Sequence, residues 1–213
     1  QSLVEVLRNW DPDIFVDTHT SDGADYPYTI TLINSHTQRH ESSQSTFLDS
    51  TLLPFLFREM ESSPYLMSPY VQSFRRSPDQ GIVAFMDYPR YTSGYVSLFN
   101  TYAFTVETHM FKPFEDRVLS TWHLLRQTLR FSALHGEEMA AVRRTAWQEK
   151  MSRLEFTLQW TLDTSRYVPV EFSGYTVKQR KSKVTGQQTY YFDRSDRWEK
   201  EIPYYKYFKP AVT

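Results

Sequence analysis

Apolar and polar positions alternate with two different periods along this chain. Up to about residue 150, short apolar runs are interleaved with helical patterns; beyond it the alternation is two-residue. Ser2–Arg8 carries Leu3, Val4 and Leu7 on one short helical face, and Asn9-Trp10-Asp11-Pro12 ends it with turn chemistry. Ile14-Phe15-Val16 reads as a short buried strand running into Asp17-Thr18-His19 and the turn Ser21-Asp22-Gly23. Tyr28–Ile33 is β-branched and reads as the next strand. Thr46–Met60 reads as a helix in which Pro54 marks a kink or a later start. Ser62–Gln80 is loop-rich, Gly81–Met86 is a strand candidate, and Tyr102–Thr108 is a further apolar strand.

Two helical stretches follow. The first starts at Lys112-Pro113 and presents Phe114, Val118, Trp122, Leu125 and Leu129 as one apolar face. The second, Glu137–Met151, has a weaker face, with Arg143, Arg144 and Lys150 read as its solvated side. Next come strands at Leu154–Leu162, Val168–Lys178 and Thr189–Asp193, with a turn at Val184–Gln187 beside the basic tip Gln179–Lys183, and an extended aromatic segment, Glu199–Phe208. The expected fold is therefore α/β: residues 1–151 form a mixed sheet with flanking helices, and residues 152–213 a small β-rich module. The module's aromatics, Trp198 and Tyr204 among them, fill its sandwich and its seam with the neighbouring part, or form a sugar- or peptide-binding platform.

Composition narrows the function. The 213 residues are 40% hydrophobic and 16% aromatic, enough for a real core. A net charge of −1 argues against nucleic acid as a partner, and no apolar run approaches bilayer length. The absence of cysteine excludes disulfides and thiolate-bound zinc.

Two stretches carry the candidate chemistry. His19 stands at the mouth of a buried strand, where Asp17 or Asp25 is placed to orient it; its bland reading is a capped strand with an inert imidazole. Some ninety residues on, the strand Ala103–Met110 brings Glu107 beside His109. A carboxylate in such a run needs a partner, either a water to deprotonate or a nearby arginine. Between them, Asp87–Tyr95 sets Arg90 among Tyr88, Tyr91 and Tyr95. The guanidinium suits a peptide carboxylate, or else pairs with Asp87. His36 and His40 stand four apart in a polar segment read as a solvated loop.

The segments FVDTHTSDGADYPYTITL (Phe15–Leu32), YPRYTSGY (Tyr88–Tyr95) and FNTYAFTVETHMFKPFEDRV (Phe99–Val118) together resemble the zinc carboxypeptidases, the carboxypeptidase A-like metallopeptidases, in a bacterial branch. The resemblance covers roughly residues 10–130. It implies that His19 is the third protein ligand of a catalytic zinc and Glu107 the general base. Arg90, Tyr88 and Tyr91 become the substrate-contacting residues, and a peptide the substrate. The family draws its first two zinc ligands from an upstream His-x-x-Glu. Here eighteen residues precede His19 and none is a histidine, while His135-Gly136-Glu137-Glu138 falls after the other motifs as a chance match. The expectation is thus the C-terminal portion of a longer periplasmic or extracellular peptidase. Its partners are a peptide and the upstream half of the same polypeptide, and the isolated chain is inactive. The alternatives are a non-catalytic peptide- or carbohydrate-binding module with a peptidase-derived fold, and a self-contained zinc hydrolase using His19, His36 and His40.

Overall fold

The computed structural model describes residues 2–213. Helix α1 (Ser2–Trp10) leads into β1 (Ile14–Ser21); β2 (Ile30–Asn34) follows, then α2 (Ser42–Phe47) and α3 (Leu53–Glu61). Three short strands, β3 (Met67–Pro69), β4 (Gln72–Ser73) and β5 (Ile82–Val83), precede α4 (Thr92–Val96) and β6 (Tyr102–His109). Then come α5 (Phe114–Ser152), β7 (Gln159–Leu162), β8 (Val168–Lys181), β9 (Gln188–Tyr205) and β10 (Phe208–Val212).

The chain is a mixed α/β structure with further β-rich parts. Its first sheet has the order β1-β6-β2-β3; β1 runs parallel to β6, β2 antiparallel to it, and β3 parallel to β2. Side-chain alternation along β6 sets the two faces. Tyr102, Phe104 and Val106 point into the main core with Ile30 and Leu32, against Phe47 of α2, Leu56 of α3 and Phe131 of α5. Ala103 points the other way and meets Leu7 of α1, Val96 of α4 and Phe15 of β1. Helices therefore cover both faces, which explains why β6 is buried along almost its whole length.

The second sheet, β4-β5-β9-β8, crosses the expected boundary at residues 151 and 152: β9 pairs in parallel with β5, Ile82 opposite Tyr204. Tyr26, Ile82, Phe172 and Ile202 make one buried cluster from both parts of the chain, and Trp198 lies against it. The Trp198 indole covers Gly174, where an added Cβ would come within 2.2 Å of the ring, so this tryptophan is committed to the seam.

Two local readings are corrected and a third is resolved. The two expected helices are one 39-residue helix, and the polar link His135–Glu138 is a turn of it. Gly136 there costs about 1 kcal/mol relative to alanine, which the buried anchors Phe131, Met139 and Arg143 on either side absorb. Pro54 marks the later start that the sequence allowed: it stands in the first turn of α3, after a π-helical turn at Leu48–Leu52. Arg143, read as solvated, is buried at 5% exposure. It donates to Asp13 Oδ1 at 2.6 Å, Asp11 Oδ1 at 2.7 Å and the Asn100 carbonyl at 2.9 Å, tying α5 to the starts of β1 and β6.

Candidate functional site

The parallel register of β1 and β6 sets His19 opposite Glu107 at the carboxyl ends of the two strands. Parity puts Asp17, His19 and Glu107 on the sheet face that carries Ala103, away from the main core. His19 Nε2 lies 3.1 Å from Asp17 Oδ2, and its Nδ1 lies 3.8 Å from Glu107 Oε1. The imidazole is half exposed while the Glu107 carboxylate is 12% exposed. Glu107 Oε2 is buried and has no hydrogen-bond partner. Burial pushes the Glu107 carboxyl above its ordinary range; His19 acts against this, and the negative charges of Asp17 and Asp22 add to it. A carboxyl held in this way is poised to take a proton.

These side chains line a cavity of about 340 Å³ together with Arg90, Tyr91 and Tyr70. The Arg90 guanidinium stacks over the Tyr91 ring, 4.7 Å from its centroid, and donates to the Tyr91 hydroxyl. Arg90 is exposed and free of the Asp87 carboxylate, which is claimed by Arg39 instead. Arg39 donates to the Asp87 carbonyl, to Asp87 Oδ1 at 3.2 Å and to the Gly94 carbonyl at 3.1 Å. Gly94 closes the loop on Asp87 so tightly that an added Cβ would sit 1.9 Å from the Asp87 carbonyl oxygen. The loop that carries Arg90 and Tyr91 is thus pinned at both ends from beneath. Tyr88 leaves the cavity: its hydroxyl donates to the Trp160 carbonyl at 3.2 Å and accepts from the Trp160 amide at 3.1 Å, docking β7.

The structure brings His19, Glu107, Arg90 and Tyr91 to one cavity and leaves out Tyr88. Sequence reading missed Tyr70 and Arg39. Tyr70 sits in an aperiodic, proline-rich stretch and Arg39 in a polar one, so neither had a pattern to mark it.

His36 and His40 correct the reading as surface histidines and, with it, the three-histidine zinc site. Both are buried, at 4% and 8% exposure. His36 Nε2 donates to the Lys206 carbonyl at 3.2 Å, while Nδ1 accepts from the Gln38 amide. His40 Nε2 meets Ser35 Oγ at 2.7 Å. The polar segment is covered by the end of the chain, where Gln38 grips Phe208 through both its amide and its carbonyl. Burial pulls the His36 pKa down to about 4 and that of His40 to about 3. His109 is also buried, stacked on Tyr26 at 4.4 Å, with Nε2 3.4 Å from Asp25, a long contact rather than a formed hydrogen bond. Asp25 in turn accepts from Arg194 at 2.6 Å, so it belongs to the seam with the β9 hairpin and not to His19.

Among the described residues no group of three or more histidine, aspartate or glutamate side chains is gathered so as to hold a metal ion. His19 offers one accessible imidazole, and the two carboxylates beside it do not complete a tetrahedral donor set. No helix among the described residues is long and apolar enough to cross a membrane. A scan against protein-family models, a search of curated proteins and a search of solved structures each return no match.

Proposed function

We propose that this chain is the C-terminal portion of a carboxypeptidase A-like zinc peptidase, which in its intact form removes the C-terminal residue from peptides in the periplasm or outside the cell. One observation carries the reading: His19 and Glu107 stand opposite each other at the ends of adjacent parallel strands, facing a cavity that also holds an exposed arginine. Two residues eighty-eight positions apart in sequence face each other across the β1–β6 pair, which supports the reading.

Each side chain has a role that its surroundings suit. His19 is turned outward and flanked by Asp17, which supports a role as one metal ligand with a carboxylate to fix its orientation. The donors in this chain do not make a zinc site alone, so the proposal requires two further ligands from the upstream part of the polypeptide. Zinc bound there supplies Lewis acidity toward water and the scissile carbonyl. Glu107, with a raised pKa and an unpartnered oxygen, takes the proton from the attacking water and hands it to the leaving amine. Arg90 binds the terminal carboxylate of the peptide, and Tyr91 holds the guanidinium in place.

The test is hydrolysis by the intact, zinc-loaded polypeptide. Glu107→Gln should lower kcat by about 10²–10⁴-fold with zinc retained, and His19→Ala should release zinc. Residues 1–213 alone should hydrolyse nothing. Metal-dependent release of a C-terminal amino acid by residues 1–213, abolished in His19→Ala, would show that the chain closes its own site. A binding module would keep peptide affinity in Glu107→Gln with no hydrolysis to lose.

A further inference from the structure

A separate cavity, of about 330 Å³, lies where the carboxyl end of α5 meets β7 and the Gln38–Glu41 stretch. It shares no residue with the cavity at His19 and Glu107. Its lining divides in two. One part is charged: Arg39, Lys150 and Arg153, with Glu41 as the one carboxylate. The other is apolar and aromatic. Tyr88 and Trp160 belong to it, and Phe156 and Leu98 are left 44% and 46% exposed. Two of the three cations have partners. Arg39 holds Asp87, and Arg153 Nη1 donates to Glu41 Oε1 at 2.9 Å. Lys150 has no carboxylate in ion-pair range among the described residues. Its ammonium donates to the Leu98 carbonyl at 2.9 Å and to Asn100 Oδ1 at 2.6 Å, both uncharged, and lies 5.2 Å from the Trp147 ring centroid. The carboxyl end of α5 offsets part of its charge. One ammonium N–H of Lys150, and Nε and Nη2 of Arg153, still have no acceptor among the described residues. Burial pulls the Lys150 pKa down; Glu41 opposes this, and Arg153 and Arg39 add to it. A solvated ion-pair network needs no uncovered rings beside it, and an apolar patch needs no unmatched lysine.

We propose that this cavity binds a small carboxylate carried on a flat aromatic ring. The site stands independently of the peptidase reading. One carboxylate matches one unmatched ammonium, and its two oxygens accept from Lys150 and from the free edge of Arg153. The ring lies among Tyr88, Phe156 and Trp160. Head and ring sites adjoin, because the Arg153 guanidinium already stacks over Phe156, 4.7 Å from its centroid. A doubly charged group such as a phosphate monoester exceeds the free positive charge and meets Glu41. The volume is at the lower end of small-ligand cavities, which suits a single ring and its acid.

Titration calorimetry on the whole chain with three probes tests the proposal. Cinnamate should bind with a Kd of about 1 mM or tighter. Cinnamamide, which keeps the ring and loses the charge, should bind at least about tenfold more weakly. Octanoate, which keeps the charge and loses the ring, should be weaker by about threefold or more. Lys150→Met should weaken cinnamate at least about tenfold and leave cinnamamide as it was, and Lys150→Arg should keep most of the affinity. Lys150 also ties α5 to the turn before β6, so a second variant avoids that tie. Phe156 is exposed on irregular backbone. Phe156→Ser should therefore hold the melting temperature while weakening cinnamate by about threefold or more. Equal affinity for cinnamate and cinnamamide, or octanoate as tight as cinnamate, overturns the proposal. So does full affinity in a folded Lys150→Met or in Phe156→Ser, or no cinnamate binding up to roughly 10 mM.

Discussion

β1 and β6 lie side by side over their whole length, yet their two ends are built differently. At the amino end, one buried arginine serves both strands. Arg143 spends its guanidinium on Asp11, Asp13 and the Asn100 carbonyl. At the carboxyl end, Asp17, His19 and Glu107 share a half-open cavity in which a buried carboxylate oxygen has no partner. The Arg143 guanidinium is fully used and rigidifies its end, even though the Asn100 Nδ2 and the Tyr102 hydroxyl nearby find no partner; the unpartnered Glu107 oxygen stores a cost that a bound group offsets. The first end positions the second.

The comparison is broken or sharpened most strongly at Arg143. Arg143→Ala should destabilise the chain by about 1–3 kcal/mol, because it empties a buried site and leaves the Asn100 carbonyl without its donor, while the exposed Asp11 and Asp13 carboxylates return to water. Urea unfolding measures this, and a loss under about 1 kcal/mol would mean that the amino end is not the anchor.

Next in size is acid. Unfolded, His36 and His40 take protons near pH 6.5; folded, they do so only near 4 and 3. The unfolded state thus binds more protons below pH 6.5, and stability must fall as pH drops, levelling off only once the folded pKa values are passed. Each histidine should contribute a loss on the order of 1–2 kcal/mol by pH 5. Thermal melts of His36→Gln should show a shallower pH slope than wild type between pH 7 and 5; an unchanged slope would place the proton uptake elsewhere.

Glu107→Gln works in the opposite direction to Arg143→Ala. A carboxyl whose pKa is raised by burial loses stability as pH rises through its ordinary range. Its neutral amide should therefore stabilise the chain at pH 7, by about 1 kcal/mol or less, while removing the proposed base. A clear loss of stability would make Glu107 a structural residue like Arg143. The smallest effect belongs to Arg90→Ala. The side chain is exposed, so the melting temperature should hold, while on the proposed peptidase reading affinity for a peptide carboxylate falls by about tenfold or more.

Much of the site was legible because its residues sit on strands with a clear apolar signature. Val16 and Val106 frame their strands, and parity then places His19 and Glu107 on one face. Their meeting was an expectation from resemblance; the register made it a geometric fact. Tyr88 was misplaced because a turn has no parity, and only the β7 backbone decided that its hydroxyl binds Trp160. Arg39 was invisible for a different reason. Its partners Asp87 and Gly94 lie some fifty residues away, and a polar stretch gives no hint that it supports another loop.

The sequence by itself determined the alternation of elements, the strands that bear His19 and Glu107, and the β-rich character of the last sixty residues. These follow from local periodicity, a property of neighbouring residues. Tertiary structure alone decided the rest. His36 is buried because the chain returns to it 170 residues later, and His40 because it packs against Tyr102 of β6. The expected two-part division is bridged because β9 finds β5. α5 is continuous because its anchors on both sides of Gly136 are packed. In each case the deciding contact joins residues far apart in the chain. Its cost is loop-closure entropy and its return is burial, and neither leaves a mark on the local pattern.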